Sequence, residues 1–413
     1  MPPPHTDSPR SPRPVADAER FLLRLARALH EAGAPSHRIE DAMDGLAPRL
    51  GVEGRFFSTP TSIFVSFGDE VEARTTLLRV EPADVNLERM VHVDQVLADV
   101  HAGRLDLPAA VARLDAIAAA PSRYGRAVTL AAFALAAATV ARFLGGGGGE
   151  VLAAALIGAQ TGGFALLVAR GREAARVFEW VAAFAASVGA LGWALAFGPL
   201  VAAIAAVAGL IVLLPGLTLT VALTELATRH LVSGTARLAG TGLTFLAIGF
   251  GLGLGSRLAP LLGGAIVPAP LAPLPAWTEG LALALAPFAL VVLFRARPRD
   301  VGIMAISGIA AYAVQRYGGR VAGPEIGMLA AAFTAGVVAN LYARLRRRPA
   351  AVAVVPAVIL LVPGSLGVSS VAALVAQELV PGVRALITLF VLAGALAAGI
   401  LLANLVVSPR RAL

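Results

Sequence analysis

The sequence predicts an α-helical polytopic membrane protein, with about ten transmembrane helices in two inverted five-helix repeats, preceded by a small α+β cytoplasmic domain. Three observations predict it. The chain is 57% hydrophobic and 15% charged over 413 residues, more apolar than a soluble chain of this length needs. Its charge divides near Arg126: 18 of the 26 acids precede that residue with 14 arginines (net −4), and 20 arginines with 8 acids follow (net +12). A Pro-Gly segment at Pro215 also returns at Pro363.

The arginine excess sits in short clusters between long apolar runs, as in the cytoplasmic loops of membrane proteins and not as in a nucleic-acid-binding face. The chain has no cysteine and no lysine. Disulfides, thiolate metal sites, Schiff-base chemistry and a P-loop lysine are therefore excluded.

Residues 1–16 are Pro-rich, lack an apolar h-region and read as a disordered tail rather than a signal peptide. Residues 17–125 read as the α+β domain. Phe21, Leu22, Leu25 and Leu29 fall at helical spacing before a Gly stop. SHRIEDAMDGLAPRLG opens on Ser36 as a cap and reads as a second helix. GRFFSTPT, SIFVSFGD and TTLLRVEP read as three short strands. NLERMVHVDQVLADVHAG and LPAAVARLDAIAAA return to the helical period. His30, His37, His92 and His101 lie among acids without metal-ligand spacing, and no G-x-S-x-G elbow is present. No catalytic residue, metal or cofactor is expected.

The membrane part divides into repeat 1 (126–258) and repeat 2 (274–407). Spans are expected at about 127–144, 151–169, 177–197, 200–214 and 238–256, then about 278–294, 301–316, 325–343, 350–362 and 385–407. With the N-terminal domain inside, cytoplasmic loops hold Arg170, Arg172, Arg176, Arg229, Arg237, Arg295, Arg297, Arg299, Arg344, Arg346, Arg347, Arg348, Arg410 and Arg411. The outside holds Arg257, Arg316, Arg320 and Arg384, so the positive-inside rule puts both termini in the cytoplasm. GGGGG at Gly145–Gly149 reads as a tight external turn. Gly249–Gly255 and Gly158–Gly162 carry the small-xxx-small spacing of close helix packing, a weak signal in a chain with 43 glycines. Such faces are compatible with a homodimer, which nothing compels.

PGLTLTVALTELATRHLVSG from Pro215 and PGSLGVSSVAALVAQELVPG from Pro363 align without a gap at an offset of 148 residues. The same offset brings spans one to five onto six to ten. Five crossings reverse orientation, so the second copy must be inverted, an arrangement that places transporter sites at the repeat interface. Spans four and nine are the shortest and end at Pro-Gly, where freed backbone groups can meet a ligand. Candidate substrate-binding residues are Pro215, Gly216, Thr218, Thr220 and Thr224, with Pro363, Gly364, Ser365, Ser369 and Ser370. Thr220, Thr224 and Thr228 form a stripe at i+4 spacing, although such hydroxyls also bond backbone carbonyls within membrane helices. Glu225 and Glu378 are candidate proton-coupling acids. The competing reading pairs them in solvated helices with Arg229 and Arg384. Gln160, Asn340 and Asn404 lie within spans, where helix–helix bonding is their expected role. His230, alone of its kind in the membrane part, reads as a solvated interfacial residue or a proton switch.

SHRIEDAMDGLAPRLG, TPTSIFVSFGD and NLERMVHVDQVLADVHAG, with LLPGLTLTVALTELATRHLVSGTARL and LVPGSLGVSSVAALVAQELVPG, resemble the threonine/serine exporter family, in its form that fuses a hydrophilic N-terminal region to the membrane repeat. The resemblance implies a transporter, not an enzyme, that exports L-threonine and L-serine across the bacterial inner membrane as a proton-coupled antiporter. Its partners would be the amino acid, the proton and membrane lipid, with no nucleic acid. A small dicarboxylate (succinate-like) exporter and a membrane-anchored hydrolase or sensor working through the soluble domain are the alternatives.

Overall fold

The computed structural model describes residues 13–69, 71–169, 171–258, 272–361, 373 and 379–409. The chain separates into two compact units. Among the described residues the first holds 13–121 together with 228–233, and the second holds 122–227 and 234–409.

The N-terminal unit has the expected α+β composition. Helix α1 (Arg13–Glu31) begins inside the stretch read as tail and puts Phe21, Leu22, Leu25 and Leu29 into the core, each fully buried. Helix α2 (Ser36–Leu46) follows and packs on β1. Strands β1 (Gly54–Thr59), β2 (Ser62–Phe67) and β3 (Arg74–Arg79) form an antiparallel sheet in the order β1-β2-β3. The β1–β2 hairpin closes over Pro60-Thr61, where the Thr59 hydroxyl oxygen accepts the Ser62 amide at 3.0 Å. Along β2 the alternation of a half-buried strand turns Ile63, Val65 and Phe67 inward. Helix α3 (Leu87–His101) is capped by Asn86, and α4 (Leu107–Ala119) by Asp106 with Pro at its first turn. Helix α4 packs against α1 and α3.

The structure corrects the reading of Ser36 as a cap. Pro35 occupies the N-cap position of α2 with no side-chain bond, and the Ser36 hydroxyl instead meets that of Ser233 at 2.7 Å.

In the second unit every predicted span is matched by a helix. The first set is α5 (Arg126–Phe143), α6 (Gly148–Val168), α8 (Phe178–Phe197), α9 (Ala202–Gly209) and α11 (Leu231–Ser256), most of which lies here. The short α7 (Arg172–Arg176) links α6 to α8, and α10 (Gly216–Ala227) follows α9. The second set is α12 (Trp277–Leu293), α13 (Val301–Ala322), α14 (Pro324–Arg346), α15 (Ala351–Leu361) and α16 (Leu379–Val406). Six of these are long and apolar enough to cross a membrane on their own, and the bent α9–α10 pair makes a seventh. This is a multi-pass membrane protein. Helices α11 and α16 start about one to two turns before the expected span edges, because the helix runs on through the flanking segments Leu231–Arg237 and Leu379–Arg384.

Contacts recur between the two sets at nearly constant spacing. The end of α5 is closed by Leu144 N–H to Val140, Gly145 N–H to Arg142 and Gly146 N–H to Ala141, with Gly145 left-handed at φ +85°. The end of α12 repeats all three bonds 150 residues on, from Phe294, Arg295 and Ala296 to Leu290, Val292 and Val291, with Arg295 left-handed at φ +50°. A Cβ added at Gly251 of α11 would meet the Trp180 carbonyl and Ala183 of α8 at 2.7 Å. At Gly399 of α16 it would meet the Leu329 carbonyl at 2.4 Å and Ala332 at 2.7 Å, both on α14.

Two buried acids missed by sequence reasoning brace the segments beside helix starts. Glu150 accepts the amides of Gly147 at 2.9 Å and Val201 at 2.8 Å, tying the start of α6 to the start of α9. Asp300 takes a bidentate bond from Arg297 at 2.7 and 2.8 Å, with both residues at most 5% exposed. The signal for Glu150 was its place in the first turn of a helix after a glycine run. Asn340 and Asn404 play the expected role: the Asn340 amide donates to Asn404 at 2.8 Å and to the Val407 carbonyl at 2.7 Å. Asn340→Leu is expected to lower stability by about 1 kcal/mol, read as a leftward shift in detergent-denaturation midpoint.

Candidate functional site

The break predicted at Pro215-Gly216 exists, and the chain resumes as a helix directly after it. Helix α9 ends at Gly209, a short 3₁₀ turn covers Ile211–Leu213, and α10 begins at Gly216, with a 54° bend between the two arms. Proline at 215 withholds a backbone donor, and the Leu214 carbonyl is taken by the Gly216 amide at 2.8 Å. The first arm is anchored at Gly209, where an added Cβ would sit 2.3 Å from Ile157 of α6.

On α10 the hydroxyl stripe is shorter than its spacing implied. Thr220 Oγ1 donates to the Gly216 carbonyl at 3.0 Å and Thr224 Oγ1 to the Thr220 carbonyl at 2.9 Å, both buried. These are the internal back-bonds that hydroxyls make in membrane helices. Thr228 lies past the end of α10 and belongs to the N-terminal unit, where its hydroxyl meets His230 Nδ1 at 3.1 Å. Thr218 and Pro215 are half-buried beside the break, and Gly216 is buried.

Glu225 is fully buried, which overturns its reading as a solvated interfacial acid. Its ion-pair partner is Arg237 rather than Arg229: the Arg237 Nε lies 3.2 and 3.1 Å from the two carboxylate oxygens. Arg229 is exposed in a left-handed turn position at φ +69°, two residues before α11 begins. The meeting of Glu225 and Arg237 depends on close packing of α10 and α11. Gly234 permits it, since an added Cβ there would press on Leu226 at 2.7 Å and the Ala222 carbonyl at 3.0 Å.

Burying a carboxylate and a guanidinium costs several kcal/mol per ion, and the pair persists because each charge compensates the other. Neutralising Glu225 would leave Arg237, whose side chain is 19% exposed, without that compensation. The arrangement is thus a buried charge pair that joins two helices, about two and a half turns beyond the broken segment.

Pro363, Gly364, Ser365, Ser369, Ser370 and Glu378 lie outside the described residues. No cluster of three or more potential metal ligands occurs among the described residues.

A family model for a threonine/serine exporter matches residues 20–259, and a second, described as "Threonine/Serine exporter, ThrE", matches residues 279–406. Among curated proteins the chain is similar to pheromone-regulated membrane protein 10 of Kluyveromyces lactis, 28% identical over 375 residues, covering 87% of this chain and 38% of the relative. The protein of the same name from Saccharomyces cerevisiae is 27% identical over 366 residues, covering 85% and 47%. An uncharacterised Schizosaccharomyces pombe protein is 26% identical over 379 residues, covering 86% and 49%. The chain therefore spans half or less of the length of these relatives. No solved structure matches it.

Proposed function

Because the chain belongs to the threonine/serine exporter family, we propose that it is a secondary active exporter of L-threonine and L-serine, exchanging them for protons. The observation that carries the proton half is the fully buried Glu225, paired to Arg237 across α10 and α11 near the far end of the helix that follows the break. An acid within a membrane segment is costly, and one on a mobile joint can exchange its proton for a change of packing.

In this reading the proton taken up from outside neutralises Glu225 and releases Arg237. The two helices then repack, and the change is transmitted along α10 to the break at Pro215-Gly216. A zwitterionic amino acid fits there: first-turn amides of α10 are directed at its carboxylate, and Gly216 allows its approach. Thr218 stands beside the break for the substrate hydroxyl. Thr220 and Thr224 act on the backbone of α10, and in this proposal they tune the helix rather than touch the substrate. The equivalent residues of the second half are Pro363, Gly364, Ser365, Ser369 and Ser370, with Glu378 as a second acid.

The recurrence of the α5 end in α12, and of Gly251 packing in Gly399, supports two five-span repeats. With five crossings each they are inverted, and the site lies at their interface. Residues 13–121 and the turn 228–233 form one compact unit, which fits an even number of crossings between them: α5, α6, α8 and the bent α9–α10 pair. The arginine distribution supports a cytoplasmic position for that unit and both termini in a bacterial cell.

The test is efflux from cells that lack their own threonine exporters and are loaded with a threonine-containing dipeptide. External threonine that depends on this chain and collapses with a protonophore is expected. Equal efflux from empty cells would remove the threonine assignment, and the same cells would then be assayed for succinate.

A further inference from the structure

The turn that joins α10 to α11 carries a histidine whose surroundings no transport step uses. Residues 228–233 belong to the N-terminal unit, although α10 holds Glu225 and α11 holds Arg237 on either side of them. Within that unit His230 Nε2 lies 3.1 Å from Glu40 Oε2 of α2, and His230 Nδ1 lies 3.1 Å from the Thr228 hydroxyl. Glu40 Oε1 also accepts the backbone amide of Ser58 on β1 at 2.7 Å. One turn before Glu40, the His37 ring stands 5.8 Å from that of His230, centre to centre. The hydroxyls of Ser36 and Ser233 close the same contact, with Ser233 only 2% exposed.

We propose that the N-terminal unit is a pH-responsive latch on the exporter, in which Glu40 grips the α10–α11 turn through His230 and so restrains the Glu225–Arg237 joint. The consequence for transport rests on the exporter reading; the latch itself does not.

The pH response follows from the groups that face the pair. Histidine is the side chain whose charge ordinarily changes between about pH 5 and 8. Neutral His230 can accept from Thr228 at Nδ1 and donate to Glu40 at Nε2, a hydrogen bond without a full ion pair. Protonated His230 donates from both nitrogens and gains the Glu40 charge, so mild acidification tightens the grip. Stronger acidification loosens it for two reasons. Burial, with Asp44 one turn on, holds the Glu40 carboxyl above its ordinary range, against the lowering pull of the Ser58 amide and His230. His37 on α2 would also repel His230 once both rings are charged. Arg38 and Asp41, also on α2, act on each other. On the turn, Arg229 is exposed. In a proton antiporter the sign is useful, because export carries protons in and an acidified cytoplasm then restrains the carrier.

The full chain is suited to a direct test because it has no native cysteine. Ser36→Cys with Ser233→Cys should form a disulfide in membranes under mild oxidant, and failure to cross-link would overturn the contact. Hydrogen–deuterium exchange of residues 228–233 in the full chain, corrected for intrinsic exchange, should show protection at least about fivefold greater at pH 6.5 than at pH 8.5. Glu40→Gln and His230→Gln should each remove that difference while leaving protection in α3 intact, which reports folding. A wild-type turn equally protected at both pH values, or a difference that survives in His230→Gln, would sink the latch.

Its effect on transport is read by threonine counterflow in proteoliposomes, which needs no proton gradient. The disulfide should slow counterflow at least about tenfold and reductant should restore it. Unchanged counterflow in the locked protein would overturn the regulatory role. Counterflow absent from the wild type and from every variant, including the reduced double-cysteine protein, would count against the exporter reading, and exchange would still decide the latch.

Discussion

Glu225→Gln is expected to reduce proton-driven threonine export by at least about a hundredfold, the scale expected when a buried charge pair worth about 3–5 kcal/mol is broken. Glutamine keeps the shape of the side chain and one hydrogen-bond acceptor but cannot cycle between charged and neutral forms. The variant also leaves Arg237 facing a neutral amide, so part of the loss could come from misfolding alone. Two further variants separate these causes. Arg237→Gln leaves a buried carboxylate without this guanidinium, and Glu225→Gln with Arg237→Gln removes both charges together. If the pair is only structural, the double variant should recover folding and export together, since an apolar or neutral replacement of a buried pair is often tolerated. If Glu225 carries the proton, the double variant should fold, bind threonine and perform counterflow, yet fail to accumulate threonine outside against a gradient. Full uphill export by the double variant would remove Glu225 from the coupling mechanism.

Much of this was legible in the chain itself, and the misses have physical causes. Hydrophobic length put a helix at each expected span to within about two turns, since a bilayer leaves helices little freedom of length, but among the described residues only six are long and apolar enough to cross alone, with the bent α9–α10 pair as a seventh. Alternation along Ile63, Val65 and Phe67 located β2 for the same kind of reason, one face of the strand being buried. The partner of Glu225 was not legible. Local spacing favours Arg229, four residues on, but α10 stops at Ala227 and the turn throws Arg229 outward. Arg237 is reached only through an α10–α11 hairpin whose closeness depends on Gly234. Likewise Ser36 has the type and position of a cap, and its use as a contact to Ser233 depends on a residue 197 positions away. Hydroxyls at i+4 marked one helix face without saying whether they point to a ligand or back to their own carbonyls, and Thr220 and Thr224 do the latter. The small-xxx-small glycines are a weak signal in the sequence because a chain rich in glycine produces that spacing by chance. In the structure Gly158 lies against Ala137 and the Phe133 carbonyl, and Gly255 against Ser187, so the spacing does mark close contacts.

Those contacts supply the second large effect. Gly251→Val and Gly399→Val are each expected to cost about 3 kcal/mol or more, at the upper end of what overpacking usually costs. The new Cβ would meet a backbone carbonyl in both cases, at 2.7 Å from Trp180 and 2.4 Å from Leu329, and a carbonyl in a helix cannot rotate away as a side chain can. Gly242 on α11 and Gly394 on α16 have nothing within 4 Å of an added Cβ, so the same helices contain their own controls. Alanine there should be neutral or slightly stabilising, because it removes the conformational freedom of glycine from the unfolded chain. The measurement is the midpoint of unfolding in a denaturing detergent, followed for each single variant and for the pair. If the two halves are repeats built on one packing plan, the two valine variants should lose similar stability. Their losses should also add, since the sites share no partner residue. A large loss at Gly399 with none at Gly251 would mean that α8 and α11 separate where α14 and α16 do not, and the proposed equivalence of the two halves would fail at the contact that supports it best.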